Sequence, residues 1–339
     1  MKIAIGYRLQ NGSWGGGNQF ARSLAKALET RGDSVRYDLN DDDIDIIILT
    51  DPRWHSPSVS FGAGAILRYL LRRNPNALVI HRINECDERK NTHNMNRMLR
   101  WANYAVDHTV FIASWLEYLN VWQRTSPHST ILNGADTMMF RRSLNVPWDS
   151  MQKLKLVTHH WGGNHMKGFD IYARLDKLLA DPIWRDRIEF TYIGNLPLGY
   201  QFQYANYLTP ISGEQLAREL AMHHVYVTAS VNEPAGMHHI EGALSGLPIL
   251  FRDSGGLPEY CRGFGIEFSG DNFIQALEMM FNRYLDLKRA MPTYPHSAER
   301  MCAEYLTLFD NMLENRQQLL SCRRLWRKPL AAIRNMVFM

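Results

Sequence analysis

The stretch Asn232-Glu233-Pro234-Ala235-Gly236-Met237-His238-His239-Ile240-Glu241-Gly242-Ala243-Leu244-Ser245-Gly246-Leu247-Pro248 runs between two short apolar segments, 225–228 and 249–251. Pro234 and Gly236 mark a turn. A helix then begins near Met237, and Gly246-Leu247-Pro248 stops it just before the next apolar run. The grammar is strand, helix, strand, the repeating unit of a parallel sheet.

The same grammar extends in both directions. Upstream, apolar runs at 2–5, 35–39, 44–49, 78–83, 110–112 and 130–132 alternate with helix-length segments, among them one with Phe20, Leu24 and Leu28 at helical spacing and others at 65–73 and 92–105. After the loop 141–152 a second series follows, with strands expected at 154–158, 190–193, 225–228, 249–251 and 266–268. Ser212 and Gln215 form a capping-box pair before the helix that leads to Met222. From Ala298 onward the pattern is helical. The expected architecture is α/β with two Rossmann-like, doubly wound domains, residues 1–148 and 149–310, followed by a C-terminal helix and basic tail over 311–339.

Length and composition agree. A chain of 339 residues suits two domains of roughly 150 residues each. Its 45% hydrophobic and 21% charged residues exclude a disordered or fibrous protein. No apolar run reaches the roughly 18 residues of a membrane span, and the first five residues read as a strand instead of a signal peptide, so the cytosol is the expected compartment. The scattered Cys86, Cys261, Cys302 and Cys322 contain no CxxC pair, which argues against a zinc site or a disulfide framework. The net charge of +4 is a property of the tail. From Arg316 onward there are six basic residues and no acid, leaving the rest at −2, so a nucleic-acid partner is not expected.

Several constellations carry chemistry. Turn amides around Gly236 and Met237, at the positive end of the following helix, would make an anion site. Glu233 lies at its lip and Glu241 inside the helix, where a carboxylate suits a bidentate hydrogen bond to two vicinal hydroxyls such as a ribose diol. On spacing alone, a capped helix with two solvated glutamates explains the stretch equally well. Lys167-Gly168, after the 154–158 strand, offers a fixed ammonium that would stabilise a departing diphosphate where water is excluded. The loop Asn11-Gly12-Ser13-Trp14-Gly15-Gly16-Gly17 allows backbone to approach a ligand closely. It is also a partial dinucleotide fingerprint without its third small residue, and Asp38 after the second strand favours NAD. His81-Arg82-Ile83-Asn84 follows a buried-type strand toward the carboxyl edge, where open α/β sheets bind ligands. The pairs His159-His160, His223-His224 and His238-His239 are poor chelates, because adjacent residues point in different directions. Asp41-Asp42-Asp43 reads as a solvated turn, so no metal is expected.

Residues 233–241, continued by Asp253-Ser254-Gly255-Gly256-Leu257-Pro258-Glu259, resemble the Glu-x7-Glu signature of retaining glycosyltransferases of the GT-B fold, group 1, family 4. Gly15-Gly16-Gly17, Asn133-Gly134-Ala135-Asp136 with Phe140, and Lys167-Gly168 are similar to other family elements in the same order, and the likeness covers about residues 1–310. The resemblance implies two Rossmann-like domains facing a cleft, the second binding a nucleotide-sugar donor and the first a saccharide or lipid-linked acceptor, with no cofactor. It implies a catalytic set of Glu233, Lys167 and His81. Donor contacts would come from Gly16, Gly17, Asn164, Lys167, Gly236, Met237, Glu241 and Arg252, and acceptor-side contacts from Arg82 and Asn84. One departure matters. The family usually carries an Arg shortly before Lys-Gly, and none is present here, so Asn164, a histidine or Arg252 is left to supply that phosphate contact. The missing Arg supports a rival reading as a catalytically inactive GT-B relative, and a further rival is an NAD-dependent oxidoreductase or epimerase. The tail mixes Arg323, Arg324, Arg327 and Lys328 with Leu325, Trp326, Leu330 and Ile333. It suits either an interfacial helix on the inner face of a membrane or a helix packed on the first domain.

Overall fold

The computed structural model describes residues 1–10, 15–53, 55–124, 126–323 and 330. By contacts the chain divides into two units, one of Met1–Asn11, Gly16–Asn133 and Ala298–Met339, the other of Gly12–Gly15 and Gly134–Ser297. The exchange thus falls at Asn133, ahead of the expected position near 148, and the helix from Ala298 belongs with the first unit.

The first unit begins β1 (Lys2–Ile5), α1 (Gly16–Arg31), β2 (Ser34–Arg36), β3 (Ile46–Leu49), α2 (Ala63–Arg72), β4 (Leu78–Ile83), α3 (Met95–Ala102), β5 (His108–Phe111) and β6 (His128–Thr130). Its sheet is wholly parallel, in the order β2-β1-β3-β4-β5-β6. Alternation along the strands feeds two cores. Ile3, Ile5, Ile46 and Ile48 meet Phe20, Leu24 and Leu28 of α1, while Ala4, Ile47 and Leu49 meet Ile66, Leu67 and Leu70 of α2.

The second unit contains β7 (Leu154–His160), α4 (Phe169–Leu178), α5 (Pro182–Arg185), β8 (Ile188–Gly194), β9 (Asn206–Leu208), α6 (Gly213–Ala221), β10 (Val225–Thr228), α7 (His238–Leu244), β11 (Ile249–Arg252), α8 (Leu257–Cys261), β12 (Gly265–Phe268) and α9 (Phe273–Ala290). It too is parallel, ordered β12-β11-β10-β7-β8-β9. Leu154, Leu156, Phe190, Val225 and Val227 pack against Phe169, Tyr172 and Leu175 of α4 and Phe273 and Leu277 of α9. Ser212 is the N-cap of α6, although its side chain makes no capping bond.

The chain then returns to the first unit. Met301, Cys302, Tyr305 and Phe309 of α10 (Ala298–Glu314) join the core beneath α1. After α11 (Arg316–Cys322), Arg323 closes a fully buried bidentate pair with Asp107, Nε to Oδ1 at 2.8 Å and Nη2 to Oδ2 at 2.6 Å. Arg323 also donates to the Pro75 and Ala77 carbonyls. Burial pushes the Asp107 carboxyl up, and the guanidinium opposes that push. Removing one member of such a pair strands the other. Arg323→Ala is therefore expected to destabilise the first unit by about 3 kcal/mol, measured as a lower urea midpoint. The basic tail from Arg324, apart from Leu330, lies outside the described residues. None of the described helices is long and apolar enough to cross a membrane.

Candidate functional site

In the second unit the predicted donor residues gather at the carboxyl edge of the sheet, the end at which doubly wound sheets bind ligands. Strand β7 ends at His160, and a short 3-10 turn, His165–Lys167, brings the lysine back over the edge. Gly168 makes that turn possible. Its φ is +95°, and a Cβ there would lie 2.4 Å from the Ala229 Cβ, so only glycine lets the turn close on the end of β10. The Val231 amide donates to the Met166 carbonyl at 2.8 Å and fastens the two loops together.

Lys167 and Glu233 consequently meet. Nζ donates to Glu233 Oε2 at 2.5 Å, and the two side chains are 11% and 3% exposed. The Glu233 carbonyl is held by the Gly256 amide at 2.8 Å. Gly236, at φ +63°, turns the chain beneath Glu233 into α7, and a Cβ on it would strike the His238 ring at 2.6 Å. Met237, almost buried, is the N-cap of α7. With seven residues, α7 supplies little dipole of its own.

Glu241, 3% exposed, faces His159 across the sheet edge, Oε2 lying 2.6 Å from Nε2. The other ring nitrogen, Nδ1, is 3.0 Å from the Tyr226 hydroxyl, which also accepts the His159 backbone amide at 3.0 Å. Next to this triad, His160 Nε2 meets the Tyr172 hydroxyl at 2.7 Å, and His238 Nε2 meets Thr228 Oγ1 at 2.9 Å. The rings of His160 and His238 are 4.5 Å apart, and those of His238 and His239 5.0 Å. Both His239 nitrogens are buried without a hydrogen-bond partner. Burial pushes the His239 imidazole down to about 3 and those of His160 and His238 well below their ordinary value, with neighbouring rings and Lys167 adding to the push on the latter two. These three rings are therefore neutral near pH 7 and cannot stand in as cations for the missing Arg.

The remaining donor candidates are placed as follows. Arg252 ends β11, and its Nη2 donates to Asp170 Oδ2. Its Nε is buried without a partner. Asn164 lies beside the lysine: a Cβ on Gly162 would sit 3.4 Å from both Asn164 Nδ2 and Lys167 Cε, and Asn164 Oδ1 is buried without a partner. Among the described residues no group of three or more His, Cys, Asp or Glu is arranged to hold a metal ion. The aspartates Asp41, Asp42 and Asp43 are engaged by Lys2, Arg36 and Arg73.

The first unit treats its candidates differently. His81 stands inside β4, 0% exposed, with Nδ1 3.3 Å from Asn103 Nδ2, and burial pushes its imidazole down to about 3. Arg82, 2% exposed, lies 4.0 Å over the Phe20 ring and donates to Asn133 Oδ1 at 2.7 Å. Asn84 bridges it to the fold, Oδ1 accepting from Arg82 Nη1 at 3.1 Å while the amide nitrogen donates to the Thr50 carbonyl at 3.2 Å. These contacts tie Arg82 and Asn84 into the unit's framework. Gly16 and Gly17 open α1, and a Cβ on Gly17 would lie 2.8 Å from the Tyr7 ring.

Sequence reasoning missed His159, Tyr226 and Asp170 as partners of the site. The one available signal was the His159-His160 pair, since neighbours on a strand face opposite sides. One face carries the bond to Glu241 and the other the bond to Tyr172.

No family model and no curated protein matches this chain. Solved structures do match it. HepE of Anabaena in complex with UDP is 13% identical with a TM-score of 0.65, covering 92% of this chain and 100% of that one. The catalytic domain of starch synthase IV from Arabidopsis thaliana, bound to ADP and acarbose, is 12% identical with a TM-score of 0.65, covering 94% and 99%. Sucrose-phosphate synthase from Thermosynechococcus elongatus is 13% identical with a TM-score of 0.62, covering 92% and 99%. Likeness at this identity is likeness of fold. The architecture is the α/β one expected, two parallel six-stranded sheets as in GT-B glycosyltransferases.

Proposed function

We propose that this protein is a retaining glycosyltransferase that moves a sugar from a nucleoside-diphosphate donor to a hydroxyl of a saccharide or lipid-linked acceptor. The observation that carries the reading is the pair of buried contacts on one sheet edge, Lys167 with Glu233 and His159 with Glu241. Glu241 accepts the ribose hydroxyls, Lys167 meets the diphosphate, and Glu233 reaches the transferred sugar. The fold neighbours solved in complex with UDP, ADP and UDP-glucose support the same donor class.

No carboxylate stands out as a nucleophile, so the reading favours same-face displacement. The bond from the anomeric carbon to the diphosphate oxygen breaks, and the bond to the acceptor oxygen forms on the same face. The departing diphosphate takes the acceptor proton. Lys167 stabilises the charge that develops on that leaving group, exchanging part of its contact with Glu233 for the phosphate.

Thermal-shift and calorimetric screening against nucleoside diphosphates, their sugars and NAD tests the reading. Stabilisation by a nucleoside diphosphate is expected, and stabilisation by NAD alone would move the protein to the oxidoreductases. Glu241→Ala should weaken nucleotide binding by about 10-fold, the worth of a hydrogen bond to a charged group. Glu233→Ala should leave nucleotide binding intact and lower turnover. Normal nucleotide affinity in the Glu241→Ala protein would remove the ribose assignment.

A further inference from the structure

We propose that His159 is a positioning residue, which fixes the Glu241 carboxylate for the ribose diol and so sets selectivity for ribonucleotides over deoxyribonucleotides. The inference rests on the donor reading of Glu241 given above.

A glutamate on a seven-residue helix is a loose ligand unless something holds its carboxylate. His159 provides a hold, with Nε2 at 2.6 Å from Oε2. A carboxylate oxygen accepts, so Nε2 carries the hydrogen, and Nδ1 lies in hydrogen-bond contact with the Tyr226 hydroxyl at 3.0 Å. That hydroxyl in turn accepts the His159 backbone amide, so one phenol orients both the ring and the chain that bears it. Tyr226 has no exposed surface and lies in β10, paired on one side with Val157 of β7 and on the other with Ile249 of β11.

A second observation makes the arrangement specific. Gly242 follows Glu241 directly, and a Cβ on it would lie 2.3 Å from the Tyr226 ring. Glycine at 242 lets α7 lie flat against that ring, which is what carries Glu241 into reach of His159. Tyr226, His159 and Glu241 form a relay of rigid parts behind a ligand-binding carboxylate, the kind of support that holds a site to productive geometry. A carboxylate has capacity for about four hydrogen bonds, so the His159 contact and a bidentate diol are compatible.

The test measures dissociation constants for UDP, ADP and GDP and for their 2′-deoxy and 3′-deoxy forms. The native protein should prefer the ribonucleotide by about 10-fold or more. Glu241→Ala should abolish the preference. His159→Ala should reduce it to about 3-fold or less, and His159→Gln, whose amide can still donate at similar reach, should restore most of it. General structural damage would weaken ribo and deoxy forms alike and leave the ratio unmoved. An unchanged ratio in the His159→Ala protein overturns the proposal while leaving Glu241 as the ribose ligand. If that variant does not fold, Tyr226→Phe carries the test: a reduced ratio supports the relay, and the native ratio overturns it. A native protein without any ribose preference, or a Glu241→Ala protein that keeps it, overturns the donor reading and this proposal together.

Discussion

Replacing Lys167 by alanine is expected to cut turnover by about 100-fold or more, in line with the loss of a preorganised charge opposite a developing anion. The charge inventory of the site is the reason. Around the carboxyl edge of the second sheet stand Glu233, Glu241 and Asp170, with Lys167 and Arg252 as the lysine and arginine paired to them, and burial holds His160, His238 and His239 neutral. An incoming diphosphate adds negative charge beside two buried carboxylates, Glu233 and Glu241. Arg252 is committed to Asp170, so Arg252→Ala should cost less turnover than Lys167→Ala. Chelators should leave activity unaffected. Lys167→Ala also strands the buried Glu233 carboxylate, which would lower stability by several kcal/mol. The double variant Lys167→Met, Glu233→Gln leaves no unpaired charge yet lacks the ammonium, and its turnover compared with that of Glu233→Gln alone isolates the part owed to Lys167. A folded double variant with native turnover, or a native enzyme silenced by chelator and rescued by a divalent ion, would remove Lys167 from the chemistry.

How far the sequence could be read depended on the range over which each feature is encoded. Parallel strands buried on both faces appear as unbroken apolar runs, so β4 and β10 fall where the residues put them. The edge strand β9, Asn206–Leu208, is short, largely exposed and polar at its first position, and nothing local distinguishes it from loop. The helix α10 reads as amphipathic from its spacing, but spacing does not say whose core takes the apolar stripe, and it joins α1 in the first unit. The same limit governs the site. Glu233 and Glu241 share one local segment and Lys167 follows a strand end, so their kind of chemistry is readable. The partner of Glu241 lies 82 positions away, and only the crossover that sets β7 beside β10 brings His159 to it. His81 lies within β4, whose bounds are those the apolar run 78–83 gives, and its neighbour Asn103 is brought to it by packing that no local spacing encodes.

Mild acid is expected to unfold the second unit before the first. An imidazole in the unfolded chain takes a proton near pH 6.5, whereas the folded His239 ring does not until about pH 3, and His160 and His238 are likewise held well below their ordinary value. Between those limits the unfolded state binds more protons than the folded one, so stability is complete above about pH 6.5 and falls as the pH drops. The His239 ring contributes a slope of about 1.4 kcal/mol per pH unit, and His160 and His238 act in the same direction. By pH 5 the His239 ring alone costs about 2 kcal/mol, a sizeable part of an ordinary domain's stability of about 5–15 kcal/mol. The first unit has His81 and His108, pushed down to about 3 and about 4, and should show the shallower slope. Urea midpoints at pH 8, 6.5 and 5.5, followed by Trp148, Trp161 and Trp184 with the other tryptophans replaced, would read the second unit separately. His239→Phe isolates one ring. His239 has no hydrogen bond to lose and packs edge-on against Tyr260, at 5.2 Å between centroids, so the variant should match the native protein at pH 8 within about 1 kcal/mol. At pH 5.5 it should gain about 1.4 kcal/mol on the native protein, because the penalty for keeping that ring neutral is gone. A difference between variant and native protein that does not change with pH would mean that the folded His239 ring takes up its proton as readily as the unfolded one.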